Sequence, residues 1–127
     1  MDIQGAFSGY SVGDIEAAKK FYHETLGLAI TEDMGGISLQ FPGGQQIFMY
    51  PKEDHEPATY TVLNIVVNDI NAAVNSLMAK GVAFERYDNL PGPQDEHGVL
   101  RGKDAGMGPN IAWFTDPSGN ILALVEE

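Results

Sequence analysis

The stretch VGDIEAAKKFY, Val12 to Tyr22, returns as VNDINAAVNSL, Val67 to Leu77. Val12, Asp14, Ile15, Ala17 and Ala18 recur, each 55 residues later, as Val67, Asp69, Ile70, Ala72 and Ala73. Both copies sit where a short apolar run gives way to an apolar stripe of helical spacing. Five in-register identities at one kind of junction mark a tandem repeat of a single supersecondary unit. No other feature constrains the fold as strongly, because whatever one half forms, the other must form too.

In the first half, Ala6 to Val12 is expected to be a strand. Asp14 is placed to cap the helix that follows, and Glu16 adds negative charge to its first turn, where the helix dipole favours it. Ile15, Ala18, Tyr22 and Leu26 form one apolar stripe, and Gly27 supplies the stop. Three strand-like runs follow, LAITED, ISLQF and QQIFMYP, with MGG and PGGQ as turn chemistry between them. The polar, proline-bearing PKEDHEPAT, Pro51 to Thr59, is expected to be a linker. The pattern then restarts. YTVLNIVV is a strand, and Asp69 caps a helix with Ile70, Ala73, Val74, Leu77 and Met78 on one face. Lys80 and Gly81 end that helix. VAFERY is the next expected strand, Asp88 to Asn110 a long loop rich in Gly and Pro, and IAWFT, the turn DPSGN and ILALVEE close the chain. The expectation is one α+β domain over 1–127, made of two βαβββ units, with unit one at 1–51, the linker at 51–59 and unit two at 60–127. A ferredoxin-like sandwich is the alternative, with repeats one strand shorter.

Composition then removes whole classes of function. Seven Lys and Arg against 18 Asp and Glu give a formal charge of −11, which repels phosphate backbones and anionic membrane surfaces. The same excess suits a cationic small molecule, or simply solubility. There is no cysteine, so disulfides, thiolate metal sites and cysteine nucleophiles are all absent. No apolar run approaches the roughly 20 residues of a membrane span, and MDIQGAFSG has no signal pattern. A cytoplasmic protein is expected.

Three signatures, VGDIEAAKKFYHETLGL, VNDINAAVNSLMAKGVAF and FTDPSGNILALVE, resemble the glyoxalase, bleomycin-resistance and extradiol-dioxygenase superfamily, the vicinal oxygen chelate proteins. The last is similar to the family's closing hairpin, with Asp116, Pro117, Gly119 and Asn120 in its turn. The resemblance covers nearly the whole chain. It implies a curved, half-open mixed β-sheet with helices outside, a ligand in the concave interior, and a homodimer as the usual form. It says less of activity, since one scaffold carries many chemistries.

Metal-dependent members of that family bind a divalent ion through the first and last strands of each unit, with His, Glu or Gln. The corresponding positions here are Phe7, Phe48, Val62 and Ala123, all apolar. Slipping the register by one residue gives Ala6, Ser8, Ile47, Met49, Thr61, Leu63, Leu122 and Leu124. Slipping it by two gives Gly5, Gly9, Gln46, Tyr50, Tyr60, Asn64, Ile121 and Val125. Neither set contains His, Asp or Glu, and a divalent ion needs several oxygen or imidazole donors together. No metal and no cofactor are therefore expected. The three histidines offer no replacement. His23 lies on a helix surface, His55 in the linker, and His97 beside Asp95 and Glu96 in a loop, where adjacent side chains rarely converge on one ion. No GxSxG is present, and GMGPN lacks the strand-to-helix setting of a phosphate loop.

Strand alternation puts Phe7, Gly9 and Ser11 on one face, with Gln46, Phe48 and Tyr50, Val62, Asn64 and Val66, and Ile121, Ala123 and Val125. This wall is apolar with a few polar groups, as in a ligand pocket, and equally as in a filled core. Gly9 favours the pocket, because glycine weakens a strand unless something approaches closely. Trp113 or Phe114 is placed to stack on a planar ligand, and parity alone does not choose between them. The expected ligand-binding set is Phe7, Gly9, Ser11, Gln46, Phe48, Tyr50, Val62, Asn64, Trp113 and Ala123, with no catalytic residue assigned. The function expected is metal-independent binding of a cationic or aromatic small molecule. The alternatives are a lyase, isomerase or dioxygenase-type enzyme with a non-standard site, drawing on Tyr10, Tyr50 or a loop residue, and a pocketless association domain.

Overall fold

In the computed structural model, which describes residues 1–127, the Asp14 carboxylate accepts the N–H groups of Glu16 and Ala17 at 3.0 and 3.2 Å. The Asp69 carboxylate accepts the N–H of Ala72 at 3.1 Å. The two repeated aspartates are thus N-caps, one for each helix. The chain divides into two compact units, Met1–Pro57 and Ala58–Glu127.

Unit one runs β1 (Ser8–Val12), α1 (Ile15–Lys20), a π-helical turn (Phe21–Thr25), β2 (Ala29–Asp33), β3 (Gly36–Gln40) and β4 (Gln46–Pro51). Its sheet has the order β1-β4-β3-β2, with β1 parallel to β4 and the other pairs antiparallel. Val12, Ile37, Leu39 and Met49 are fully buried, as are Ala18 and Tyr22 of the helical segment. The Tyr10 and Tyr22 hydroxyls meet at 2.8 Å, so Tyr10 and Val12 share the helix side of β1. Alternation then places Gly9 and Ser11 on the opposite face. The apolar stripe is helical as expected, but its second half is wound as a π-turn rather than an α-helix.

Unit two runs β5 (Thr61–Val66), α2 (Ile70–Ala79), β6 (Leu100–Arg101), β7 (Asn110–Thr115) and β8 (Ile121–Glu126), in the order β5-β8-β7-β6. Here β5 is parallel to β8, so the topology of unit one is reproduced. Ile70, Val74 and Leu77 of α2 are buried, and the helix packs on β7 and β8. Ala112, Phe114, Leu122 and Leu124 form the face beneath it, with Phe84 against Phe114 at 5.6 Å. The chain is an α+β fold of two βαβββ units, each a four-stranded mixed sheet with its helix.

Two expectations need correction. VAFERY, Val82 to Tyr87, is not a strand. It makes one backbone bond to the sheet, Glu85 N–H to the Trp113 carbonyl at 2.8 Å. The Gln94 carboxamide takes the groups that follow, accepting from Tyr87 N–H and donating to the Glu85 carbonyl. A side chain takes the place of a strand, so no ladder forms. Conversely, the expected loop Asp88 to Asn110 contains the second strand of the unit, the short β6, and the bridge of Gln94 to Leu100. The loop is tied down by Asp95, whose carboxylate accepts from Val99 N–H and His97 N–H at 2.9 Å and pairs with Arg101 at 2.7 Å.

Candidate functional site

On the face of unit one that turns away from α1, β1 contributes Gly9 and Ser11. They stand beside Phe48 and Tyr50 of β4, and Ser38 of β3 is paired with Phe48. Gln46, also of β4 and on the same face by alternation, is exposed at the start of that strand. The Phe48 and Tyr50 rings stack 6.1 Å apart at 21°, and Phe7 meets Phe48 edge-on at 6.5 Å. Phe7 is 75% exposed and Tyr50 41%, so these aromatics form a shelf rather than a packed core. Gly9 does answer a close approach, but from within the sheet: a Cβ there would lie 2.7 Å from the Phe48 carbonyl oxygen. At the end of the shelf the Ser11 hydroxyl and His55 Nδ1 are 2.7 Å apart. That bond holds the expected linker against β1.

Unit two carries a cavity of about 200 Å³. Trp113 forms one wall and Ile121 lies at the start of β8. Thr59, Tyr60 and Thr61 lead into β5, while Tyr87, Asn89 and Leu90 come from the segment after α2. The Trp113 and Tyr87 rings stand 5.5 Å apart at 80°, making a right-angled corner. The Trp113 indole N–H donates to the Thr61 hydroxyl at 3.2 Å, fixing the ring in its plane. Burial, and after it the Glu85 carboxylate, pushes the Tyr87 phenol above its ordinary pKa. No charged side chain lines the cavity. Of the neighbours Trp113 and Phe114, Trp113 faces the cavity and Phe114 is wholly buried.

The other proposed ligand-facing residues of unit two lie apart from this cavity. The pairing of β5 with β8 shifts between Thr61 and Leu63, so Val62 is the extra residue of a bulge and Thr61 pairs with Ile121. Asn64 is paired with Ala123, which is buried, and Ala123 with Trp113. Tyr60, Tyr87 and Asn89 line the cavity without any motif pointing to them. No local sequence signal groups them, since Tyr60, Tyr87 and Trp113 lie far apart along the chain.

The positions that the resemblance implies for metal ligands hold Phe7, Phe48, Val62 and Ala123, whose side chains offer no donor to an ion. No three His, Asp or Glu side chains lie close enough together to hold one. His23 Nδ1 bonds the Leu28 carbonyl at 2.9 Å, and His97 lies 3.6 Å from Glu96. Asp95 is occupied by Arg101 and two backbone N–H groups. No helix is long and apolar enough to cross a membrane.

The family model for the Glyoxalase/Bleomycin resistance protein/Dioxygenase superfamily matches residues 6–124. No curated protein matches the chain. Among solved structures, it is similar to a member of the same superfamily from Sphaerobacter thermophilus, with 25% identity, TM-score 0.66, and 97% of this chain and 98% of that one covered. It is also similar to TnmS3, an antibiotic binding protein from a Streptomyces species, with 23% identity, TM-score 0.66, and 99% and 98% covered. A third is the fosfomycin resistance protein FosX from Listeria monocytogenes, with 12% identity, TM-score 0.70, and 100% and 95% covered. The last two likenesses carry the fold alone. With the model matching nearly its full length, the chain belongs to the glyoxalase, bleomycin-resistance and dioxygenase superfamily.

Proposed function

We propose that this protein binds a small molecule, cationic or aromatic, without a metal ion, and holds it rather than transforming it. The observation that carries the reading is the cavity of unit two, where the chain's single Trp is fixed at right angles to Tyr87 among uncharged polar groups. Apolar area with a few donors and acceptors is what recognition of a small organic compound requires. The apolar side chains at Phe7, Phe48, Val62 and Ala123 support the metal-free part. The net charge of −11 supports a cation over an anion. An antibiotic binding protein shares the fold, which supports the scaffold's suitability for such a role.

We place it in the cytoplasm as a homodimer, with neither nucleic acid nor membrane as a partner. Phe7 and Val66, 75% and 64% exposed on sheet faces turned from their helices, support a second copy as cover. Calorimetric titration with cationic aromatic compounds and cationic glycopeptides tests the binding. The reading predicts saturable heat at one site per chain. No heat and no thermal shift at millimolar ligand contradict it.

One observation favours a second reading, a lyase, isomerase or dioxygenase-type enzyme with a non-standard site. A hydroxyl and an imidazole 2.7 Å apart, Ser11 and His55, are what proton transfer at a ligand-facing surface needs. Turnover of a bound compound that is lost in His55→Ala, with binding retained, decides for this reading.

A further inference from the structure

Resting on the binding reading above, we infer that the cavity of unit two is an aromatic cage for a quaternary or tertiary ammonium group, with Trp113, Tyr87 and Tyr60 as its walls. Three aromatic side chains line a space of about 200 Å³. Drug-sized sites run to roughly 300–1,000 Å³, so this cavity takes a compact head group or one ring of a larger compound. The Trp113 and Tyr87 rings meet edge to face, 5.5 Å apart at 80°, so the ring that presents its edge keeps its own faces free. A cation seated against such a free face meets the negative side of that ring, with the remaining aromatic side chains of the lining around it. Tyr60, 70% exposed, is the most exposed of the three aromatic lining residues.

The electrostatics agree with the geometry. The lining has no Lys or Arg to oppose a cation and no carboxylate to demand a strongly hydrated one. Arg86, next to Tyr87 in sequence, is turned away, its guanidinium donating to the carbonyls of Asp95 and Glu96 at 2.7 and 2.9 Å. Glu85, two residues before Tyr87, acts electrostatically on its phenol. A weakly hydrated alkylammonium loses little on entering such a site, whereas an ammonium that must keep hydrogen bonds loses more. Thr61, whose hydroxyl accepts from the indole, and Asn89 are left to hydrogen-bond whatever the head group is attached to.

The test uses the full chain, with choline, tetramethylammonium and the uncharged choline isostere 3,3-dimethyl-1-butanol as probes. The readout is the one indole N–H cross-peak in the 1H–15N spectrum. Saturable movement of that peak by choline is expected, with the uncharged isostere weaker by about tenfold or more. Tyr87→Leu and the exposed Tyr60→Ala should each weaken choline by about three- to tenfold, with the rest of the spectrum retained. Equal binding of the uncharged isostere overturns the inference. So does choline failing to bind while a planar aromatic cation such as proflavine moves the same peak, an outcome that leaves the binding reading standing. Failure of every probe sinks both.

Discussion

The Trp113 indole N–H and the Thr61 hydroxyl are 3.2 Å apart, and that bond joins the two strands that flank β8. Thr61 can make it because the bulge at Val62 brings Thr61 opposite Ile121. Thr61→Val keeps the shape and removes the acceptor. The expected result is a loss of about 1 kcal/mol in stability, a changed Trp emission maximum, and several-fold weaker ligand binding. Denaturant unfolding followed by Trp emission measures the first two in one experiment.

Two glycines of unit one are required by close packing rather than by turns. A Cβ at Gly36 would meet the Met49 carbonyl oxygen at 2.3 Å and the Phe48 ring at 2.8 Å. Gly9 faces the Phe48 carbonyl oxygen in the same way. Gly36→Ala is therefore expected to cost about 1–3 kcal/mol through forced backbone shifts. Gly5→Ala, where an added Cβ meets nothing within 4 Å, should be close to neutral. A pair of urea melts compares them, and equal midpoints would refute the packing argument.

Asp95 gives the protein part of its acid sensitivity. Burial alone would raise its pKa, but the N–H groups of Val99 and His97 and the Arg101 guanidinium outweigh it and hold the carboxyl below its ordinary range. A carboxyl with a depressed folded-state pKa contributes stability above its unfolded value of about 3.9, and that contribution is lost as pH falls through the folded value. Asp95→Asn should cost about 1–3 kcal/mol at pH 7 and progressively less under acid. The gap between the thermal melts of the two proteins should narrow as pH falls below about 3.9. Parallel curves would mean that the Asp95 carboxylate makes no net contribution through its charge.

Much of the fold was legible in the sequence because it rests on local chemistry that repeats. The caps at Asp14 and Asp69, the stripes through Ala18, Tyr22, Val74 and Leu77, and the β-strands up to Pro51 follow from capping and periodicity. VAFERY misled because its composition suits a strand while its edge is taken by Gln94, a partner from another part of the chain. The second strand of unit two was invisible because β6 has two residues, too few for a period. In unit one, alternation places Phe48 and Tyr50 together on one sheet face, where their rings stack. In unit two the bulge at Val62 breaks the alternation, and Tyr87 and Asn89 reach the cavity through loop geometry that no pattern encodes. His55 escaped for a similar reason: its bond to Ser11 spans 44 residues.

The central claim is that this chain binds an organic cation or aromatic compound through its own side chains, with no metal. Trp113 is its only Trp and stands in the cavity, so its emission reports occupancy directly. The decisive measurement is a titration of Trp113 emission with a cationic aromatic ligand, run on protein purified without chelators and again after exhaustive chelation. A saturable change with the same midpoint in both is the predicted result. No saturable change, or a response that vanishes on chelation and returns with a divalent ion, contradicts the account.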